Sequence, residues 1–111
     1  MARYERGGVV KGPDLFADNS YRPFVCVSDE NHPFAGEEAL YAALRSIPRP
    51  EAISLGDADF ASGGLPRESY VNPWTLASIR HADIDGREGR LTESAIERIT
   101  RQCGRYLGLD V

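Results

Sequence analysis

Apolar positions along this chain gather into short runs set between glycines, prolines and charged corners. The run Arg6-Gly7-Gly8-Val9-Val10-Lys11-Gly12 predicts a first short strand bounded by glycines. Gly12-Pro13-Asp14 then opens a polar loop reaching Ser20. Phe24 to Ser28 is a second strand, a continuous bulky and β-branched run of the kind buried on both faces. Pro23 lacks an N–H and fits the first position of that strand. Asp29-Glu30-Asn31-His32-Pro33 breaks it. Glu37 to Ser46, with Ala39-Leu40-Tyr41-Ala42-Ala43-Leu44 at its centre, carries two readings. Its residues have high helix propensity, whereas its length and weak amphipathicity also fit a buried central strand.

Pro48 and Pro50 end that segment, and Ala52-Ile53-Ser54-Leu55 predicts another short strand. Gly56 to Pro66 reads as a loop, within which Asp57 and Asp59 mark a turn. Two strands, Glu68 to Asn72 and Thr75 to Ile79, flank Pro73-Trp74, and the following connection ends in the turn signal Asp85-Gly86. The last segment is a helix. Thr92 is placed as N-cap, Ser94 and Glu97 form an overlapping capping-box pattern, and Gly108 stands where the helix should stop. Ile96, Ile99, Cys103 and Leu107 fall on one face, so the helix should dock on a small sheet or barrel.

The chain has 111 residues without a break in composition, which predicts one domain over residues 1–111. A chain of this length buries roughly 65% of its unfolded surface. No run approaches a membrane span and the first residues lack a signal peptide's apolar stretch, so the reading is cytoplasmic with no membrane partner. Cys26 and Cys103 both fall at core positions, and no cysteine or histidine spacing fits a metal or other cofactor.

The net charge of −4 argues against a broad basic surface for nucleic acid. The cations are nonetheless unusual: twelve arginines stand beside the single Lys11. Any local anion site would therefore be built of guanidinium groups. Arg22, at the mouth of the Phe24 strand, could offer its planar donor fork to phosphate, or could pair with one of the many carboxylates. His32 fits either a general base or a solvated turn residue, and His81 is a weaker candidate of the same kind. Trp74 and Tyr70 could stack on bases, or pack in a core or dimer contact.

Taken in order, these stretches resemble the MazF/PemK/Kid family of toxin endoribonucleases. Arg6-Gly7-Gly8-Val9-Val10 is similar to the family's opening strand, and Arg22-Pro23-Phe24-Val25-Cys26-Val27-Ser28 to its Arg-Pro strand. Ser69-Tyr70-Val71-Asn72-Pro73-Trp74, Gly89-Arg90-Leu91-Thr92 and Tyr106-Leu107-Gly108-Leu109 continue the match to the C-terminus. The resemblance implies a mainly β fold with a C-terminal α-helix, an SH3-like barrel of the MazF/Kid/CcdB type assembled as a homodimer. It also selects the strand reading for Glu38 to Ser46.

The same resemblance implies metal-independent cleavage of single-stranded RNA, with the 2′-OH attacking the adjacent phosphorus, and neutralisation by a cognate antitoxin. Arg22 takes the position of the family's catalytic arginine. The family's catalytic threonine has no counterpart; Arg45 or Ser46 stands there, and Ser46 could supply the hydroxyl. Ser28, His32 and Arg45 are the expected substrate-binding residues. Two alternatives accompany this reading. One is a catalytically impaired module that only engages an antitoxin, an operator complex or another target; the other is an SH3-like interaction domain without a nucleic-acid role.

Overall fold

In the computed structural model, which describes residues 3–14 and 21–111, the apolar run around Phe24 lies at the centre of a sheet. Its strand β2 (Tyr21–Cys26) is flanked by β1 (Gly8–Pro13) and β3 (Glu38–Arg45). Alternate residues of these strands enter two different cores. Val9, Val25, Ala42 and Leu44 join one cluster, while Val10, Phe24, Cys26, Tyr41 and Ala43 join the other. With neither face exposed, the strands read as unbroken apolar runs rather than alternating ones.

Burial also explains why residues 38–45 form a strand despite their helix propensity. Ala39 and Tyr41 to Leu44 are all buried, so no solvent face remains for an amphipathic helix to present. The small Ala42 and Ala43 side chains let β2 and the next strand flank this segment on both edges.

Strand β2 begins three residues earlier than Phe24 to Ser28 predicts, and Pro23 is its third residue rather than its first. The reason is directional. Val27 donates its N–H to Leu40 on β3, and Pro23 has the same parity. Its missing N–H therefore points beyond the start of the β2–β3 ladder at Phe24. The expected loop over residues 12–20 begins later, since Gly12 and Pro13 belong to β1; residues 15–20 lie outside the described residues.

Strand β4 (Ile53–Leu55) is followed by a 3₁₀ turn at Asp57–Asp59 and by β5 (Phe60–Gly63), within the segment expected to be only a loop. The two strands expected around Pro73 are one, β6 (Ser69–Arg80), with a break in register. Asn72 pairs with Ala43 and Leu76 with Ala42, so Pro73, Trp74 and Thr75 bulge out of the ladder. Strand β7 (Gly86–Leu91) is a further element the pattern did not predict. Among the described residues these strands form one antiparallel sheet in the order β4-β6-β3-β2-β1-β7-β5, curled into a half-barrel of the SH3-like kind.

Helix α1 (Glu93–Tyr106) covers the first core with Ala95, Ile96, Ile99 and Cys103. Thr92 is its N-cap, its hydroxyl accepting the Ala95 N–H at 3.2 Å. At the other end Gly108 takes φ +98°; its N–H bonds to Arg105 and the Leu109 N–H to Gly104, the paired bonds of a Schellman stop. Leu107 departs from the expected face. It is 71% exposed, because the helix ends there and turns the side chain outward.

Candidate active site

Strands β2 and β3 bring together two of the expected site residues, Arg22 and Arg45. The register Phe24↔Ala43, continued outward by two residues, sets Arg22 opposite Arg45. Like charges facing each other across a ladder repel. Asp14, one residue past β1, counters this: its carboxylate, fully buried, accepts from Arg22 Nε at 2.6 Å. Of the two sequence readings of Arg22 the structure shows the ion pair, and the same residue also lines a cleft. The Nε bond fixes the plane of the guanidinium, and its two Nη groups have no partner among the described residues.

Arg45 is held below the ordinary arginine pKa, first by burial and then by the positive charge of Arg22, with Asp14 acting in the opposite sense. One of its Nη groups donates to the Leu44 carbonyl at 3.1 Å. The two arginines border a cleft of about 250 Å³, whose wall includes Ser46, Lys11, Arg67 and Glu88. Ser46 is exposed, and its hydroxyl makes no hydrogen bond among the described residues. Ser69 is buried in the wall with its hydroxyl donating to the Arg67 carbonyl at 3.0 Å.

Ser28 and His32 lie elsewhere. Ser28 is six residues further along from Arg22, on the order of 20 Å away at the opposite end of the β2–β3 pair. Its hydroxyl accepts the Leu40 N–H at 2.9 Å. His32 is in the turn beyond; Nδ1 accepts the Phe34 N–H at 2.9 Å and Nε2 is 3.9 Å from Glu38. Neither borders the cleft. His81 is 2% exposed, donating from Nε2 to the Ala35 carbonyl at 2.8 Å and accepting the Tyr4 N–H at Nδ1. Trp74 stands 41% exposed against Tyr106, with ring centroids 5.9 Å apart, while Val71 is fully buried.

Asp14, Lys11, Arg67 and Glu88 all escape sequence reading. Asp14 looks like part of a turn; Lys11 and Arg67 carry no local pattern and arrive only through tertiary structure. Among the described residues no group of three or more His, Cys, Asp or Glu side chains is placed to hold a metal ion, and no helix is long and apolar enough to cross a membrane.

The sequence matches no family model, and comparison with curated proteins likewise finds no match. Solved structures do match. A mycobacterial endoribonuclease in complex with its cognate antitoxin superposes with a TM-score of 0.77 at 21% identity, over 100% of this chain and 99% of that one. A mycobacterial endoribonuclease without a partner gives 0.78, again at 21% identity, covering 100% and 97%. MazF in a MazE–MazF crystal structure from Deinococcus radiodurans gives 0.74 at 12% identity, covering 99% and 100%. From end to end, this chain has the fold of those endoribonucleases and of MazF.

Proposed function

We propose that this chain is an endoribonuclease toxin that cleaves single-stranded RNA without a metal ion and is neutralised by a protein antitoxin. The observation that carries this reading is the Arg22–Arg45 pair, oriented by buried Asp14 at the edge of a cleft with a free hydroxyl, that of Ser46. In-line attack of a ribose 2′-OH on the neighbouring phosphorus crowds negative charge onto the phosphorane oxygens. Two adjacent guanidiniums stabilise that charge best when they are already in place and need no reorganisation. Arg22 presents its two Nη groups to the oxygens, Arg45 adds charge beside it, and Ser46 donates one neutral hydrogen bond. The proton of the 2′-OH passes to Glu88, the carboxylate that lines the cleft among the described residues, or to water. As the bond from phosphorus to the 5′ oxygen breaks, that oxygen takes a proton from water and leaves as the 5′-hydroxyl, with a cyclic phosphate on the other fragment.

The antitoxin in this reading lays an acidic extended segment over the same cleft and displaces RNA. A solved relative of the same fold carries a cognate antitoxin, in keeping with that partner. A second copy of the chain covers exposed apolar surface near Trp74, Tyr106, Leu107 and Leu109. The replacement of the family's threonine by Arg45 and Ser46 favours one other reading, a binding module with little or no cleavage.

The test is incubation of purified protein with mixed-sequence single-stranded RNA in EDTA. Cleavage should persist and leave 5′-hydroxyl ends, which polynucleotide kinase labels without prior phosphatase. RNA left intact by protein that still binds its antitoxin would assign the chain to the binding-module reading.

A further inference from the structure

Seven of the twelve arginines are engaged by other groups of the fold. Arg6, Arg22, Arg80, Arg98 and Arg101 form ion pairs, Arg105 hydrogen-bonds to Gln102, and Arg45 is engaged beside Asp14. Among the described residues the side chains of Arg3, Arg49, Arg67, Arg87 and Arg90 make no ion pair or hydrogen bond. Three of these five, Arg3, Arg87 and Arg90, border one cleft of about 350 Å³ together with Arg6 and Gly8. The single carboxylate there is Glu5. In a chain of net charge −4, leaving three guanidiniums side by side without partners costs self-repulsion that nearby acidic residues could have relieved.

A bulge produces the juxtaposition. Residues three apart on a regular strand face opposite sides of a sheet. Here Gly8 pairs with Arg90 and Val10 with Arg87, with the register slipping between Val9 and Val10, so Glu88 is extra. Arg87 and Arg90 therefore share the face of Gly8 and Val10, roughly 7 Å apart along the strand. Glu88 goes to the wall of the Arg22 cleft instead. Gly8, opposite Arg90, has no side chain to fill the space between them.

We infer that this cleft binds the phosphodiester backbone of a nucleic acid, at a site separate from the Arg22 cleft. Exposed guanidinium forks aligned along one strand suit successive phosphate groups and read no base edge, so binding should be independent of sequence and steeply salt-dependent. The backbone could belong to RNA reaching beyond the point of cleavage or to duplex DNA, and the site does not depend on cleavage for its existence.

Binding of a 2′-O-methyl RNA, which cannot be cut, and of mixed-sequence duplex DNA is measured by anisotropy across about 50–200 mM salt. The double variant Arg87→Gln, Arg90→Gln should flatten the slope of log affinity against log salt by about 1.4 for RNA or about 1.8 for duplex. Loss with RNA alone, duplex alone or both supports the site and identifies the source. Arg49→Gln, an unpartnered arginine elsewhere, should leave the slope unchanged; an equal loss there would reduce the effect to net charge and overturn the site. Unchanged slopes in the double variant, no binding by the wild type, or displacement of RNA from this cleft by polyglutamate at lower concentration than by RNA itself would also overturn it. Both side chains are exposed and unpartnered, so an unchanged thermal midpoint should accompany the effect. If the wild type cuts no RNA yet the double variant loses slope, the cleavage reading fails and this site stands; the reverse result separates them the other way.

Discussion

In the proposed function the ion pair of Arg22 with Asp14 serves chemistry rather than stability. The carboxylate is buried and the guanidinium partly exposed, so the pair fixes direction: Nε is spent on Asp14 and both Nη groups remain for a ligand. Arg22→Ala should therefore lower single-turnover RNA cleavage by about 10²–10³, the scale of losing one oxyanion donor. Arg22→Lys should not restore it, because a point charge cannot satisfy Asp14 and phosphate in one plane. Ser46→Ala should cost only about fivefold, one neutral hydrogen bond of roughly 1 kcal/mol. A loss of similar size for Ser46→Ala and Arg22→Ala would contradict these roles. A different residue-scale consequence follows from Tyr41, whose hydroxyl is fully buried without a hydrogen-bond partner among the described residues. Burial pushes its ionisation well above the usual phenol range. Tyr41→Phe removes an unsatisfied polar atom and keeps the ring against Phe24. It should stabilise the fold by about 1 kcal/mol, measured by urea denaturation.

Among the elements, β5 and β7 approach each other closely at Gly63. Gly63 has φ +64°, and a Cβ there would lie 2.4 Å from the Glu88 carbonyl oxygen. Gly63→Ala should separate β5 from β7 and destabilise the fold by more than the roughly 1 kcal/mol expected of left-handed backbone alone. A thermal midpoint within a degree of wild type would show that the strands can slide apart freely. Helix α1 was legible in the sequence because its determinants are local: Thr92, the spacing of Ile96, Ile99 and Cys103, and Gly108. Strand β7 was not. Its sequence, Gly-Arg-Glu-Gly-Arg-Leu, buries only Gly89 and Leu91, and its pairing with β1 comes from backbone geometry that no hydrophobic pattern encodes. The same limit hid half of the candidate site. Arg22 announced itself beside Pro23, whereas Arg67 and Glu88 reach the cleft from segments far along the chain. Ser28 and His32, expected to bind substrate, follow Arg22 closely in sequence yet do not border its cleft. An extended strand carries such residues apart.

At the scale of the whole molecule, the two free thiols lie on opposite faces of the sheet, Cys26 in one core and Cys103 in the other. Burial raises both to about 11 from an ordinary 9.0. A thiol that resists ionisation in the folded state binds its proton more tightly than in the unfolded chain. Its stabilising contribution is complete below pH 9 and disappears as pH climbs through about 11. For Cys26 this amounts to about 2–3 kcal/mol. Urea midpoints should hold steady from pH 7 to 8.5 and fall between pH 9 and 11, more steeply than in Cys26→Ala; parallel profiles would exclude the thiol as the cause. Sedimentation equilibrium tests the assembly. Self-association at micromolar concentration should weaken in Trp74→Ser, and a wild type that is monomeric throughout would leave the apolar surface around Trp74 to another partner.

The pairing of β1 with β7 has a consequence for synthesis on the ribosome. Gly8 meets Arg90 only after more than eighty intervening residues have been made, and α1, which closes the first core, follows still later. Until then Val9, Val25 and Leu44 lack the cover of Leu91, Ile96 and Ile99, and the wall of the Arg22 cleft lacks Glu88. A nascent chain stalled before β7 can assemble neither the sheet edge nor the cleft. The proposed RNA cleavage then waits until β7 has emerged and paired with β1, so a partly made chain is inert toward RNA.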